Sequence, residues 1–143
     1  MKTVCVSGYF TVLHKGHIKL FEAAKKLGDK LIVIVNNNDQ QIRKKGKLIH
    51  DAEDIKYIIE RLNMVDEVII SIDKDRSQCE TLRMIHPDIF ANGGDRTTQD
   101  SQDKNSSLNP EVDLCNEIGI KMVFNVGGGK INSSSDILKK GEQ

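Results

Sequence analysis

The chain of 143 residues lacks a charge imbalance, because 21 Lys and Arg residues offset 21 Asp and Glu residues. A protein without a positive field has no general attraction to nucleic acid or to an anionic membrane surface. The sequence also lacks any apolar run close to the roughly 18 residues that span a bilayer. No basic segment followed by a long apolar stretch opens it, so no secretory signal is expected. We therefore expect a cytoplasmic protein that binds neither nucleic acid nor membrane and whose partners are small molecules.

Cysteine is scarce, and Cys5, Cys79 and Cys115 are widely spaced. No two of them form a CxxC arrangement, which argues against both a disulfide framework and a structural zinc site. Three reduced, mostly structural thiols are expected. The chain also lacks an internal repeat, and its length suits a single domain that covers residues 1–143.

Apolar segments and amphipathic segments alternate along the chain. Near-continuous apolar runs at 2–7 and 30–35 are typical of buried parallel strands. Between them apolar residues recur at helical spacing from Ile18 to Leu27, and Gly28 marks a stop. The alternation predicts a Rossmann-like α/β fold, a doubly wound five-stranded parallel sheet with helices on both faces. The remaining predicted strands are at 67–71, 88–91 and 121–125, and the remaining predicted helices are at 51–62, at 77–85, from Pro110 and from Ser134.

Ligands of such sheets bind at the carboxyl ends of the strands, where the strand order reverses. The loops predicted at that edge are 8–16, 36–47, 92–96 and 126–135. The stretch 97–109 has one apolar residue in thirteen. It is expected to be a mobile loop on the ligand side, or else a plain solvated insertion. Residues 140–143 are a tail.

Two histidines flank a glycine where the first predicted strand leads into the first helix. His14 and His17 are expected to project from one face, and Gly16 to leave backbone N–H groups open beside them. Open N–H groups and imidazoles both suit phosphate, and they can stabilise charge that grows as a P–O bond breaks. One alternative is that one histidine caps the helix while the other packs in a polar corner. The other is a zinc pair, for which no third ligand has a telling spacing.

Lysines follow the second strand, where Lys44, Lys45 and Lys47 form a cationic cluster on a predicted loop. Such a cluster suits a triphosphate, although a lysine run is more often a solvated surface.

Two further segments at the ligand edge also suit an anion. Gly93-Gly94-Asp95-Arg96 offers a tight turn with one acceptor and one bidentate donor, or else a turn with a surface ion pair. Near the carboxyl terminus, a Gly-rich stretch at 127–130 combines a flexible backbone with a cation. The hydroxyls of Ser133, Ser134 and Ser135 then open a helix, which suits phosphate or is an ordinary capped helix.

Gly8-Tyr9-Phe10 followed by His14-Lys15-Gly16-His17 resembles the HxGH signature of the nucleotidyltransferase superfamily. The chain is most similar to its cytidylyltransferase-like family, whose branches include glycerol-3-phosphate cytidylyltransferase, heptose-1-phosphate adenylyltransferase and archaeal FAD synthetase. The similarity continues through VDEV at 65–68, PDxxxxGGD at 87–95 and an STTxI-like segment at 133–137.

The resemblance implies transfer of a nucleoside monophosphate from a nucleoside triphosphate to a small phosphorylated or phosphonate acceptor, with release of pyrophosphate. CMP is favoured, and the alternatives are an adenylyltransferase acting on a sugar phosphate or FMN and a catalytically degenerate nucleotide-binding module. Mg²⁺ is expected to arrive with the nucleotide, without a metal-ligating residue of the chain, and a homodimer is implied. The implied residues are His14, His17 and Lys47 for catalysis; Gly8, Tyr9, Phe10, Gly16, Lys44, Gly94, Asp95, Ser133, Ser134 and Ser135 for the nucleotide and its phosphates; and Asn37, Asp39 and Arg96 for the acceptor.

The sequence departs from the family pattern at three places. Thr11 stands where the family has an Asp, and Ile55 stands where an Arg follows the acidic residues of a helix. These two changes motivate the alternative of a module without catalysis. Residues 125–130 replace the RTEG segment of the glycerol phosphate enzymes, which argues against glycerol phosphate as the acceptor.

Overall fold

The computed structural model of the protein describes residues 1–11, 13–75, 77–93 and 109–126, except for the side chains of Asn109 and Asn125. Strands and helices alternate through most of these ranges. The strands are β1 (Thr3–Gly8), β2 (Lys30–Val35), β3 (Glu67–Ile70), β4 (Ile89–Gly93) and β5 (Lys121–Val126). The helices are α1 (Lys15–Lys25), α2 (Asn38–Lys45), α3 (Ala52–Ile59), α4 (Cys79–Ile85) and α5 (Asn109–Ile118).

The five strands form one parallel sheet in the order β3-β2-β1-β4-β5. The chain builds outward from β1 to β3 and then returns to the other side of β1 to add β4 and β5. The order reverses between β1 and β4, and the carboxyl ends of these two strands are where sheets of this kind bind their ligands. The doubly wound parallel sheet that the sequence predicts is confirmed.

Alternating side chains of the central strands enter two apolar clusters on opposite faces of the sheet. One cluster joins β1 and β2 to α1 and α3, and the other joins the same strands to α4 and α5. Helices therefore cover both faces, as predicted. The first cluster includes Val4, Val6, Phe21, Val33 and Ile55, and the second includes Cys5, Ile32, Ile34, Leu82 and Leu114.

The segment after β2 is a helix, which corrects the prediction of a loop at 36–47. Asn37 is the N-cap of α2, because its Oδ1 accepts from the Gln40 N–H at 2.8 Å while Gln40 Oε1 accepts from the Asn37 N–H at 2.9 Å. Gly46 ends the helix in the left-handed conformation, with φ of +79°. Asn37 is also an implied acceptor ligand, and its residue type could have indicated the start of this helix, because asparagine is among the best N-cap residues.

Several predicted segments lie outside the described residues. These are the polar stretch 97–109 apart from Asn109, which begins α5, the helix start at Ser134 and the tail at 140–143. Among the residues that the structure describes, no helix is long and apolar enough to cross a bilayer.

Candidate active site

His14 and His17 lie in the first turn of α1, beyond the carboxyl end of β1. His14 is the N-cap residue, and its Nδ1 accepts a hydrogen bond from the Gly16 N–H at 3.0 Å. His17 Nδ1 accepts in turn from the His14 N–H at 3.3 Å, and the ring centroids are 4.0 Å apart. The expectation of an open Gly16 N–H is corrected, because the N-cap imidazole occupies the donor that a phosphate would use. A phosphate contact of Gly16 stays a prediction.

These hydrogen bonds decide which nitrogen of each ring carries the proton. A ring nitrogen that accepts from an N–H has no proton of its own, so each neutral imidazole is protonated on Nε2. His14 Nε2 is shielded from solvent and has no hydrogen-bond partner among the described residues. A buried donor without a partner is unfavourable, and a ligand oxygen would satisfy it. The helix start therefore has one imidazole N–H, on His14 Nε2, that suits a ligand oxygen.

Both imidazoles are neutral at pH 7. Burial lowers the pKa of His14, and burial together with the neighbouring His14 ring lowers the pKa of His17 to about 4. Protonation would also put a hydrogen on an Nδ1 that faces a backbone N–H, which disfavours the charged form. Each imidazole thus has an N–H donor on Nε2 and no positive charge.

Phe10 supports His17 from the core. Its buried ring lies edge-on to His17, with centroids 5.2 Å apart, and 5.3 Å from the ring of Phe21. Gly8 allows this arrangement, because a Cβ at that position would lie 2.8 Å from Phe10 Cζ. Gly8 and Phe10 are predicted to bind the nucleotide, and the structure places both where they position a histidine. Direct contact of either residue with the nucleotide stays a prediction.

The basic end of α2 reaches the loop between β1 and α1. The Lys44 ammonium lies 4.6 Å from the centroid of the Tyr9 ring, and the Lys45 ammonium lies 5.8 Å from it. Lys47 is exposed just beyond the end of the helix. The structure therefore brings Tyr9 together with Lys44 and with Lys45, a member of the predicted cationic cluster that was not among the implied nucleotide ligands.

A buried glutamine of α2 ties down the segment that carries Lys47. Gln41 Oε1 accepts from the Ile49 N–H at 2.5 Å and from the His50 N–H at 2.9 Å, and Gln41 Nε2 donates to the His50 carbonyl at 2.6 Å. The sequence alone does not reveal this role of Gln41, because a glutamine within a run of polar residues lacks the apolar spacing that marks a buried helix face. A correct prediction of α2 would have been the only signal, since it would place Gln41 on a defined helix face.

Asn37 and Asp39, which are predicted acceptor ligands, lie at the start of α2. Asn37 Nδ2 donates to the carbonyls of Ser71 at 3.0 Å and Asp73 at 2.9 Å, so both amide hydrogens serve the fold. Asp39 is exposed in the first helical turn. Asn37 could therefore contact the acceptor substrate only through the second lone pair of Oδ1. The predicted role of Asn37 and Asp39 in binding that substrate stays a prediction.

The other predicted ligands are outside the described residues. They are Gly94, Asp95, Arg96, Ser133, Ser134 and Ser135. Within the described ranges, no group of three or more His, Cys, Asp or Glu side chains is arranged to hold a metal ion. A metal in this part of the site would depend on the oxygens of the ligand that brings it.

Comparison with known sequences finds one matching family profile and several relatives. The sequence profile described as cytidylyltransferase-like matches residues 5–139. The chain is 33% identical to a FAD synthase from Picrophilus torridus over 140 residues, which cover 96% of this chain and 94% of that protein. It is 38% identical to a glycerol-3-phosphate cytidylyltransferase from Bacillus subtilis over 95 residues, which cover 66% of this chain and 73% of that protein.

A solved structure shares the fold. The lipopolysaccharide core biosynthesis protein from Thermoplasma volcanium superposes with a TM-score of 0.70 at 29% sequence identity. The match covers 92% of this chain and 99% of that one.

Proposed function

Because the chain belongs to the cytidylyltransferase-like family, we propose that it transfers a nucleoside monophosphate from a nucleoside triphosphate to a phosphate oxygen of a small anionic acceptor. Family membership makes it a nucleotidyltransferase, and the donor and the acceptor are the parts that this proposal adds. The acceptor oxygen attacks the α-phosphorus, the bond from the α-phosphorus to the bridging oxygen breaks, and pyrophosphate leaves with that oxygen.

The observation that carries the proposal is the pair of neutral imidazoles at the carboxyl end of β1, in which the shielded His14 Nε2–H has no partner among the described residues. An acceptor phosphate is ionised at pH 7, and pyrophosphate leaves as an anion, so neither a general base nor a general acid is required. What the reaction needs is stabilisation of the charge on the phosphoryl oxygens in the transition state. Neutral, fixed donors provide it without first losing a proton, which agrees with the lowered pKa values of His14 and His17.

The lysines at the end of α2 suit the β- and γ-phosphates. Lys44 and Lys45 lie against Tyr9, in the segment that joins β1 to α1. In this proposal Lys47 neutralises the transferring or leaving phosphates. Mg²⁺ chelated by the triphosphate would neutralise part of its charge. Ser133 and Ser134, which lie outside the described residues, keep their predicted contact with the β- and γ-phosphates, and the homodimer likewise stays a prediction.

Two donors are supported by different observations. The sequence analysis favours CTP, and the similarity to a glycerol-3-phosphate cytidylyltransferase over 95 residues agrees with that choice. ATP is favoured by the similarity to a FAD synthase, which extends over 96% of the chain. FAD is made from FMN by adenylyl transfer to a phosphate oxygen, so FMN is the first acceptor to test with ATP.

Thermal unfolding with each of CTP, ATP, GTP and UTP in Mg²⁺ tests the proposal. A ligand at about 100 times its Kd stabilises the native state by about 2.7 kcal/mol, so the preferred donor should raise Tm by several degrees. Pyrophosphate release is then measured with that donor and a panel of phosphorylated acceptors that includes FMN. Removal of divalent cations by EDTA is expected to abolish release, and added Mg²⁺ to restore it. An unchanged Tm with all four nucleotides would contradict the proposal.

A further inference from the structure

Tyr9 lies in the segment that joins β1 to α1, beside the basic end of α2. It follows Gly8 at the end of β1 and precedes Phe10, whose ring turns into the core against His17. The Tyr9 ring instead meets the basic end of α2, with ring-to-ammonium distances of 4.6 Å for Lys44 and 5.8 Å for Lys45. The Phe10 ring therefore packs against His17, and the neighbouring Tyr9 ring packs against Lys44 and Lys45.

We propose that Tyr9 is a positioning residue that holds Lys44 and Lys45 in place for the β- and γ-phosphates of the donor. This inference rests on the proposed function, because it concerns the same phosphate site. It differs from the expectation that Tyr9 touches the nucleotide, since the ring acts here through the lysines.

The physical argument is one of preorganisation. An exposed lysine has about 2 kcal/mol of rotamer entropy, and binding a phosphate requires that much of this freedom be lost. Lys44 and Lys45 are neighbours on one helix and carry the same charge, so mutual repulsion drives their ammonium groups apart. The face of an aromatic ring attracts both cations without accepting a conventional hydrogen bond from either ammonium. The ring therefore holds two like charges close together before the polyphosphate arrives.

Titration with inorganic pyrophosphate and with the preferred triphosphate tests this role. Tyr9→Leu removes the aromatic face, and both ligands are expected to bind about three- to tenfold more weakly. The corresponding nucleoside monophosphate, measured as a competitive inhibitor, should keep its affinity because it lacks the phosphates that the lysines hold. Tyr9→Phe keeps the ring and should restore most of the lost affinity.

A second cation and ring pair provides the matched control. Tyr57 is an exposed residue of α3, and the guanidinium of Arg61, which follows the helix, lies 3.9 Å from the centroid of its ring. Tyr57→Leu removes a similar contact on another helix, and it should change neither pyrophosphate nor triphosphate binding. Equal weakening by the two leucine variants would overturn the inference.

A double-mutant cycle separates positioning from a general structural effect. In a Lys44→Met, Lys45→Met background, Tyr9→Leu should weaken pyrophosphate binding no further, because the groups through which it acts are gone. A full additional loss in that background, or a Tyr9→Leu variant that binds pyrophosphate like the wild type, would overturn it. If the wild-type protein binds neither pyrophosphate nor any triphosphate, the proposed function itself fails, which is a different result.

Discussion

The imidazole of His14 uses its two nitrogens for different purposes. Nδ1 closes the start of α1 by accepting from Gly16, and Nε2 is shielded without a partner among the described residues. Capping the helix uses Nδ1 alone and does not require a buried N–H on Nε2. The prediction that a histidine caps the helix is confirmed for His14, and because Nε2 takes no part in the cap, the predicted phosphate contact of the same side chain stays compatible with it.

Replacement of His14 by asparagine separates the two roles. Asparagine is a strong N-cap, and its Oδ1 can take the place of the imidazole Nδ1, so the unfolding free energy should change by less than about 0.5 kcal/mol. The Nε2 donor is lost, and turnover should fall by about 10²- to 10³-fold. His14→Ala removes cap and donor together and should add a stability loss of about 1 kcal/mol. Urea denaturation and pyrophosphate release measure the two quantities, and near-normal turnover of His14→Asn would refute the assignment.

The neutral state of His17 predicts a pH dependence of stability. The folded pKa is about 4 because of burial and the adjacent His14 ring, and the unfolded value is near 6.5. Between these values the unfolded chain binds more protons than the folded one, so stability is complete above pH 6.5 and falls as the pH drops toward 4. With allowance for the partly exposed ring, the loss from pH 7 to pH 5 should be about 1 kcal/mol.

Urea denaturation at the two pH values measures this loss. His17→Asn cannot titrate, so the difference between pH 7 and pH 5 should shrink in that variant. The carboxylates with lowered pKa values, Asp66 and Asp75, titrate below this window and do not obscure the comparison. A wild-type difference that persists unchanged in His17→Asn would show that another group is responsible.

At the scale of elements, α2 is the part of the site that sequence spacing failed to reveal. Only Gln40 and Gln41 of this helix are buried, and both are polar, so the apolar repeat that signals an amphipathic helix is missing. The helix is held instead by hydrogen bonds to its loops: Gln40 Nε2 donates to the carbonyls of Asp75 and Ser77, and Gln41 binds Ile49 and His50. Buried amides fix α2 where apolar side chains fix α1.

Gln41→Met tests whether this attachment positions the segment of Lys47. Methionine preserves volume but leaves the Ile49 and His50 N–H groups and the His50 carbonyl without their partner, so the unfolding free energy should fall by about 1 to 3 kcal/mol. Gln41→Glu is the matched variant, and at pH 7 it should cost more than Gln41→Met, because it buries a carboxylate with one oxygen against the His50 carbonyl. Amide hydrogen exchange at Ile49 and His50 should accelerate in Gln41→Met, and unchanged exchange there would exclude the attachment.

At the scale of the whole molecule, the burial of the cysteines makes their reactivity a measure of unfolding of the sheet. Cys5 is fully buried on the central strand, and burial raises its pKa far above the ordinary thiol value. Burial also raises the pKa of Cys115 to about 12, while Cys79 is partly exposed. The described residues thus place the thiols where reduced, structural cysteines are expected.

Alkylation by iodoacetamide at pH 8 should therefore follow the order of burial. Cys79 is expected to react first, and Cys5 only when the molecule unfolds globally, because the thiolate is the reactive form and β1 lies at the centre of the sheet. A bound triphosphate should slow labelling of Cys5 by the factor by which it stabilises the native state. Peptide mass spectrometry assigns the sites, with Cys79→Ser as the variant that isolates the buried thiols. Rapid labelling of Cys5 in the native protein would contradict the burial.

Local patterns of the chain were enough to predict the sheet, its carboxyl edge and the two histidines at the first helix start. Apolar periodicity and helix stop signals involve only a few neighbouring residues, so they can be recognised in a single sequence. Three features were decided only when elements packed together: the proton on Nε2 of each imidazole, the meeting of Tyr9 with Lys44 and Lys45, and the attachment of Gln41 to Ile49 and His50. Each depends on the direction of a side chain or on a contact across a loop, and residue spacing does not encode the geometry of packed elements.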